Sequence, residues 1–387
     1  MNLTTKLLLG FGLSAGFLGY AQDLGKINPV LTGAPFLRIA PDARSGGMGD
    51  QGVATSSDAF SQFWNPAKYP FSRTSSSVGL SYTPYMSKLT NDVFLLYASF
   101  HKFLGQDERS TLSASIYYFN MGEVDLTQLV GSDVASMGTS KPNEFSIDVA
   151  YALKLSDSFS GAVTGRFIRS DLAGGFNTDT TLKPANSFAV DISGYYTSPR
   201  FSSFGGYEGK VNAGFTIKNI GPKLDYSGND DTRNYLPATA RIGVGYDMFL
   251  DDMNKIGISF EGSKILVPQA EFVGIDPNTR QPRYEIPNVG PIAGISKSFK
   301  NKNSIMYSGA LEYSYDNAFA VRAGYFSESE TQGARQFATA GVGLKYRSFG
   351  LDLSYLINMS KINTALDNTL RFGLTWNIGE ETSNVDY

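Results

Sequence analysis

Few residues in this chain could do chemistry. The single histidine, His101, is the one side chain whose ordinary pKa suits proton transfer near neutral pH. An activated nucleophile needs such a base within hydrogen-bond reach. No Gly-x-Ser-x-Gly elbow occurs in residues 22–387 to supply the serine. His101 stands beside Lys102 at the inward end of a candidate strand, and we read it as an interfacial polar residue. The run Gly47-Met48-Gly49-Asp50-Gln51-Gly52 matches G-x-G-x-x-G. That fingerprint binds dinucleotides only between a strand and a helix of one βαβ unit, and neither pattern is present. Glycines in tight turns explain it better. Asp225, Asn229, Asp230, Asp231 and Arg233 gather hard oxygen ligands, but without the ordered spacing of a calcium loop. They read as a solvated loop. Cysteine is absent, which excludes disulfides, thiolate catalysis and cysteine metal sites. A formal charge of −3 gives no footing for nucleic acid. We expect no catalytic residue, no enzyme activity, no cofactor, no metal and no nucleic-acid partner.

The elements that carry these residues are strands. Leu370, Phe372, Leu374, Trp376 and Ile378 share one parity, and Arg371, Gly373, Thr375 and Asn377 the other. Side chains in a strand alternate faces, so one face is apolar and one polar. Fourteen such segments can be drawn, the first over 76–83 and the last over 369–378. A fifteenth, over 289–298, contains Pro291 and follows Pro287, and proline is disfavoured in central strands. Without it, short connections (156–158, 250–254, 316–318) alternate with long ones (121–143, 170–186, 221–237, 265–303). Outer-membrane barrels have short inner turns and long outer loops, and even strand numbers. The connection 198–209 is longer than this rule wants, and the sequence offers no reason for it.

Charges inside these strands include Asp148, Asp191, Arg241, Glu261, Glu312, Arg322, Lys345, Asp352 and Arg371. A charge facing lipid costs up to about 2–4 kcal/mol, so these should face a lumen and form a cross-lumen ion-pair network, a conducting polar pore being the alternative. Tyr196, Tyr246, Tyr315, Tyr346 and Trp376 fall at inward strand ends, as an aromatic girdle would. Upstream, Lys6, an apolar run from Leu7 to Leu18 and Gly19-Tyr20-Ala21 read as a secretory signal peptide cut before Gln22. No later run is long enough for a transmembrane helix. The expected fold is an all-β outer-membrane β-barrel of fourteen antiparallel strands with an N-terminal lumenal plug. Its parts are a signal peptide (1–21), a plug or hatch (22–75), the barrel (76–379) and a C-terminal tail (380–387).

The segment before the first strand is rich in glycine but keeps Phe36, Leu37, Trp64 and Tyr69. Disordered tails lack such bulky apolar residues. Within it, Asn65-Pro66-Ala67 resembles the hatch of the FadL-like family of fourteen-stranded barrels. Ala40-Pro41-Asp42-Ala43-Arg44, Gly46-Gly47-Met48-Gly49-Asp50, Val53-Ala54-Thr55 and Trp64-Asn65-Pro66-Ala67-Lys68 resemble the PorV (also called LptO) family of the Bacteroidetes type IX secretion system. So do 319–326, 352–356 and 368–372. On that resemblance the motif residues are Pro41, Asp42, Arg44, Gly46, Gly47, Gly49, Trp64, Asn65 and Pro66. The resemblance also implies partners: secreted cargo C-terminal domains, a SprA-like translocon, a PorU-like attachment complex, and outer-membrane lipid and LPS. The alternatives are a FadL-like transporter of hydrophobic small molecules and, as the LptO name implies, a lipopolysaccharide O-deacylase. The long loop 265–303 combines five prolines with Phe272, Tyr284 and Ile286. Unstructured loops of this length are usually functional or disordered, and prolines reduce the entropy lost on ordering. We expect this loop, with 121–143, to be the partner-binding surface.

Overall fold

The computed structural model describes residues 30–86, 90, 92–105, 107–130, 133–174, 183–228, 233–275, 282–301, 304–360 and 365–381. The expected signal peptide (1–21), and the tail beyond Glu381, lie outside the described residues. Among the described residues fourteen long strands close one antiparallel sheet, which a two-residue strand at Phe201–Ser202 extends. They are β1 (Thr74–Pro84), β2 (Val93–Leu104), β3 (Ser110–Met121), β4 (Asn143–Lys154), β5 (Phe159–Asp171), β6 (Ala185–Thr197) and β7 (Glu208–Ile220). The second half comprises β8 (Thr239–Phe249), β9 (Asn254–Ile265), β10 (Ile305–Tyr315), β11 (Phe319–Ser327), β12 (Gln336–Tyr346), β13 (Phe349–Asn358) and β14 (Leu370–Glu381). Each pairs with its sequence neighbours, and β14 closes the ring on β1 with Val78 opposite Trp376. Closure removes every free edge from the membrane-spanning sheet, as a solvent without hydrogen-bonding groups demands.

Alternation decides which face meets lipid. In β14 Leu370, Phe372, Leu374, Trp376 and Ile378 are exposed, while Arg371 and Gly373 are buried. Tyr196, Tyr315, Tyr346 and Trp376 lie exposed at the inner strand ends, where their rings suit the headgroup level. The inward charges are paired mostly with strand neighbours rather than across the lumen. Arg166 bridges Asp148 and Asp191 at 2.8 and 2.9 Å, Arg241 meets Glu261 at 2.8 Å, and Arg322 meets Glu312 and Asp352 at 2.7 and 2.6 Å.

The connections account for two irregularities of the sequence. Residues Phe201–Ser202 pair with Glu208 and Gly209, so the long inner connection is a small hairpin that extends the sheet past the membrane. Gly205 and Gly206, at φ 70° and 84°, make its turn. The rejected fifteenth strand is a helix, Pro291–Ser298, with Pro291 in the first turn where its missing N–H costs nothing.

Candidate functional site: the lumenal plug and the outer hairpins

The segment of residues 30–73 descends the lumen. It enters at the outer mouth, where Gly33 N–H donates to the Tyr235 carbonyl at 2.9 Å, and leaves at the inner rim as β1. Two single-turn helices, α1 (Ala43–Gly46) and α2 (Ser61–Trp64), hold its middle. Asp42 caps α1: one carboxylate oxygen accepts from Ser45 N–H at 2.8 Å and the other from the Trp64 indole at 2.6 Å. Burial, then the neighbouring Asp58 carboxylate, push Asp42 up to about 6 despite these donors. The Arg44 guanidinium spans from Asp58 (2.7 Å) to Glu312 on β10 (3.3 Å), tying plug to wall. Burial alone would raise the Asp58 carboxyl, but Lys68 and Arg44 outweigh it and hold the group below its usual range.

Asn65 is the junction. Its amide donates to the Val53 carbonyl (2.9 Å) and to Gly194 on β6 (3.0 Å), and its carbonyl accepts from Ala67 N–H. Pro66 keeps Asn65 extended, at φ −161° and ψ 94°, and starts the 3-10 turn Pro66–Phe71. Three motif glycines let backbone meet backbone or a buried ion. A Cβ at Gly46 would lie 2.6 Å from Arg371 Nη1, and one at Gly47 3.0 Å from the Gly341 Cα. Gly49, at φ 71°, packs on the Tyr325 peptide, where a Cβ would meet oxygen at 2.8 Å. Pro41 offers its carbonyl to the Ser81 hydroxyl of β1 at 2.6 Å. The G-x-G-x-x-G run therefore lies against the barrel wall, and Glu261 rather than a phosphate accepts from Gly52 and Val53 N–H, both at 3.0 Å.

Several partners were not singled out in the sequence. Asp50 pairs with the fully buried Arg371 at 3.2 Å. Lys68 donates to the Gly52 carbonyl and Thr55 at 2.8 and 3.1 Å. His101, read as interfacial, instead points into the lumen. Its ring stacks on Tyr69 at 4.3 Å, and its Nδ1 lies 2.7 Å from Ser77 Oγ. Both residues are buried, so this pair docks the plug and offers no surface to a substrate. Asp225 caps Ser227 and Gly228 and pairs with Arg233, while Asn229, Asp230 and Asp231 lie outside the described residues. Among the described residues no cluster of three or more acidic or histidine side chains is arranged to hold a metal.

Trp64→Phe tests the plug's electrostatics. It leaves a buried carboxylate oxygen short of its donor, a cost of about 1–3 kcal/mol. A carboxyl whose folded pKa is raised loses stability as pH rises through that value, and losing the indole raises it further. We expect the variant's plug to resist protease almost normally at pH 5 and to fail at pH 8. A deficit equal at both pH values would contradict this role for Asp42.

The outer end presents the other sequence-selected residues. Tyr235, Ile265, Leu266 and Val267 form a buried cluster with Met306, Phe326, Phe337 and Leu356, and Ile286, Val289 and Ile295 pack against it. The Tyr235 hydroxyl lies 2.8 and 2.7 Å from the Pro287 and Val289 carbonyls. The base of the loop is thus a lid on the barrel mouth. Beyond it projects a two-stranded hairpin, Glu271–Ile275 with Pro282–Glu285, outside the main sheet. Phe272 and Tyr284 face each other at 5.9 Å and remain 58% and 57% exposed, and Ile275 is 66% exposed. A second hairpin, Val124–Val130 with Asp133–Ser140, occupies the loop after β3. The expected binding loops therefore hold two hairpins, while Ile286 belongs to the lid.

The sequence profile of the family described as Type IX secretion system protein PorV matches residues 22–271. No curated protein sequence matches the chain. Among solved structures, the Ralstonia pickettii toluene transporter TbuX aligns over 89% of this chain and 100% of its own, at 12% identity and TM-score 0.50. The CymD monoaromatic hydrocarbon channel aligns over 89% and 99%, at 11% identity and TM-score 0.50. A Pseudomonas aeruginosa FadL homologue aligns over 90% and 99%, at 11% identity and TM-score 0.45. At such identity the likeness is one of fold alone.

Proposed function

Because this chain belongs to the PorV family of type IX secretion system proteins, we propose that it is the outer-membrane shuttle that binds secreted cargo. It is exported through a cleaved signal peptide and docks laterally, through its lipid-facing wall, on a SprA-like translocon. It then binds the C-terminal domain of the cargo at its outer hairpins and hands it to a PorU-like attachment complex. The observation that carries this reading is the outer hairpin Glu271–Ile275/Pro282–Glu285, whose apolar side chains stand in the open beyond a packed lid. A lone two-stranded hairpin is marginal in water, and exposed aromatics are typical anchors of an interface. The plug supports the same reading: it ties itself to the wall from β1 to β14, so the barrel acts as a docking body rather than a conduit. Outer-membrane lipid and LPS contact the wall without being substrates, and no bond need be broken.

The test is a double variant, Phe272→Ser with Tyr284→Ser. We expect the barrel to assemble normally while affinity for a purified cargo C-terminal domain falls at least about 30-fold, as loss of two aromatic anchors implies. Unchanged affinity in a folded variant would remove the hairpin from the interface.

A further inference from the structure

The inner mouth carries charge that the barrel does not neutralise. A cavity of about 280 Å³ opens there between the plug's lower end and the strand ends. Its carboxylates are already held. Asp58 lies 2.7 Å from Arg44, Glu312 2.7 Å and Asp352 2.6 Å from Arg322, and Asp247 3.7 Å from Lys255. Arg73 and Lys210 line the same cavity, both partly buried. Neither side chain has an ion pair or hydrogen bond among the described residues. Asp247 lies opposite Lys210 in register but also serves Lys255, so Arg73, Lys210 and Lys255 share one carboxylate, and low-dielectric walls focus the remaining positive field into the opening.

A second recess of about 710 Å³ adjoins it, and Phe71, Ser72, Thr197 and Lys210 line both. Pro70, Phe103 and Pro199 give the second recess an apolar floor. Lys154 sits 5.2 Å from the Phe71 ring, and Arg109 stands nearby. Asp107, Glu108 and Asp157 belong to the inner turns that bound it. Two joined recesses, one net cationic and one with an apolar floor inside a polar rim, exceed what a lone ion would fill.

We propose that the inner mouth binds an extended peptide segment carrying carboxylate and apolar side chains, presented by a protein on the inner side of the membrane. A carboxylate enters the first cavity and takes charge-assisted hydrogen bonds from Arg73 and Lys210. An apolar neighbour rests on Phe71. The site lies at the opposite end of the barrel from the cargo hairpins and stands independently of them.

The test is fluorescence anisotropy on the purified full barrel in detergent. The probes are a labelled, capped Glu-Phe-Glu-Phe-Asp peptide and its Gln-Phe-Gln-Phe-Asn counterpart. We expect saturable, salt-sensitive binding of the acidic peptide, weaker by at least about tenfold for the neutral one. The double variant Arg73→Gln, Lys210→Gln should lose a similar factor while migrating as a folded barrel. Equal binding of both peptides, no saturable binding, or an unaffected folded double variant would overturn the proposal. So would inorganic phosphate binding where the acidic peptide fails, which would make this a small-anion site. The peptide comparison uses the unaltered protein and therefore decides the matter even if the variant misfolds.

Discussion

Gly324→Val unseats the plug. Gly324 lies on β11 where the plug backbone crosses the wall, and a Cβ there would sit 2.2 Å from Gly49 N and 2.3 Å from Met48 C. Backbone cannot rotate away as a flexible side chain would. The segment must shift, and it takes with it the Gly49 N–H bond to Thr339 (2.9 Å) and the Asp50–Arg371 pair (3.2 Å). Overpacking costs about 1–3 kcal/mol, and an orphaned buried ion adds about 3–5 kcal/mol. We expect the plug to become protease-sensitive in detergent and the barrel to conduct ions in planar bilayers. Gly165→Val is the control. A Cβ at Gly165 meets nothing within 4 Å, and the residue is exposed on the lipid-facing side of β5. The same added bulk should change neither readout. A closed, protease-resistant Gly324→Val barrel would contradict the packing described for the plug.

Arg166→Ala should lower barrel stability by about 3–5 kcal/mol. The guanidinium is buried, with its side chain 2% exposed, and spans Asp148 and Asp191. Asp191 also accepts the Asn219 N–H at 2.7 Å, at a point where β7 bulges and Asn219 takes φ 60°. Removing the arginine leaves two adjacent carboxylates without their cation and releases that bulge. The triple variant Arg166→Leu, Asp148→Asn, Asp191→Asn removes the whole charge set and should lie much closer to the unaltered protein. Heat-modified migration on gels, followed against temperature, measures both. Equal midpoints for the single and triple variants would show that charge pairing is not what this cluster contributes.

What the sequence made legible follows from its physics. β14 alternates cleanly because lipid lies on one side and buried polar or small residues on the other. β2 does not: Leu95 and Tyr97 face inward, onto the plug, while Phe94, Leu96 and Phe100 face outward. An apolar plug makes both faces apolar, which erases the period-two signal, so His101 reads as interfacial although it faces the plug. Charge parity placed Asp148, Asp191 and Arg371 inward, but pairing is a matter of register. Arg371 found Asp50 in the plug, a contact between residues far apart in the chain. Pro291 argued correctly against a strand, yet only the fold shows why it starts a helix. The motif glycines signalled close approach, but what they approach, the Gly341 and Tyr325 backbone, lies in the last third of the chain. The aromatics of the outer loop were visible as residues. Their division into a buried lid, with Ile286, and an exposed hairpin, with Phe272 and Tyr284, came from packing against Tyr235.

On the proposed function this barrel is a carrier docked on a secretion machine. A mild-detergent pull-down of the tagged protein from its native outer membrane, read by mass spectrometry, tests it most directly. We expect recovery of a giant barrel translocon together with proteins that share one C-terminal domain, the latter lost from the Phe272→Ser, Tyr284→Ser variant. Recovery of the barrel alone, with co-purifying lipid or fatty acid, would contradict it and favour a transporter of hydrophobic compounds.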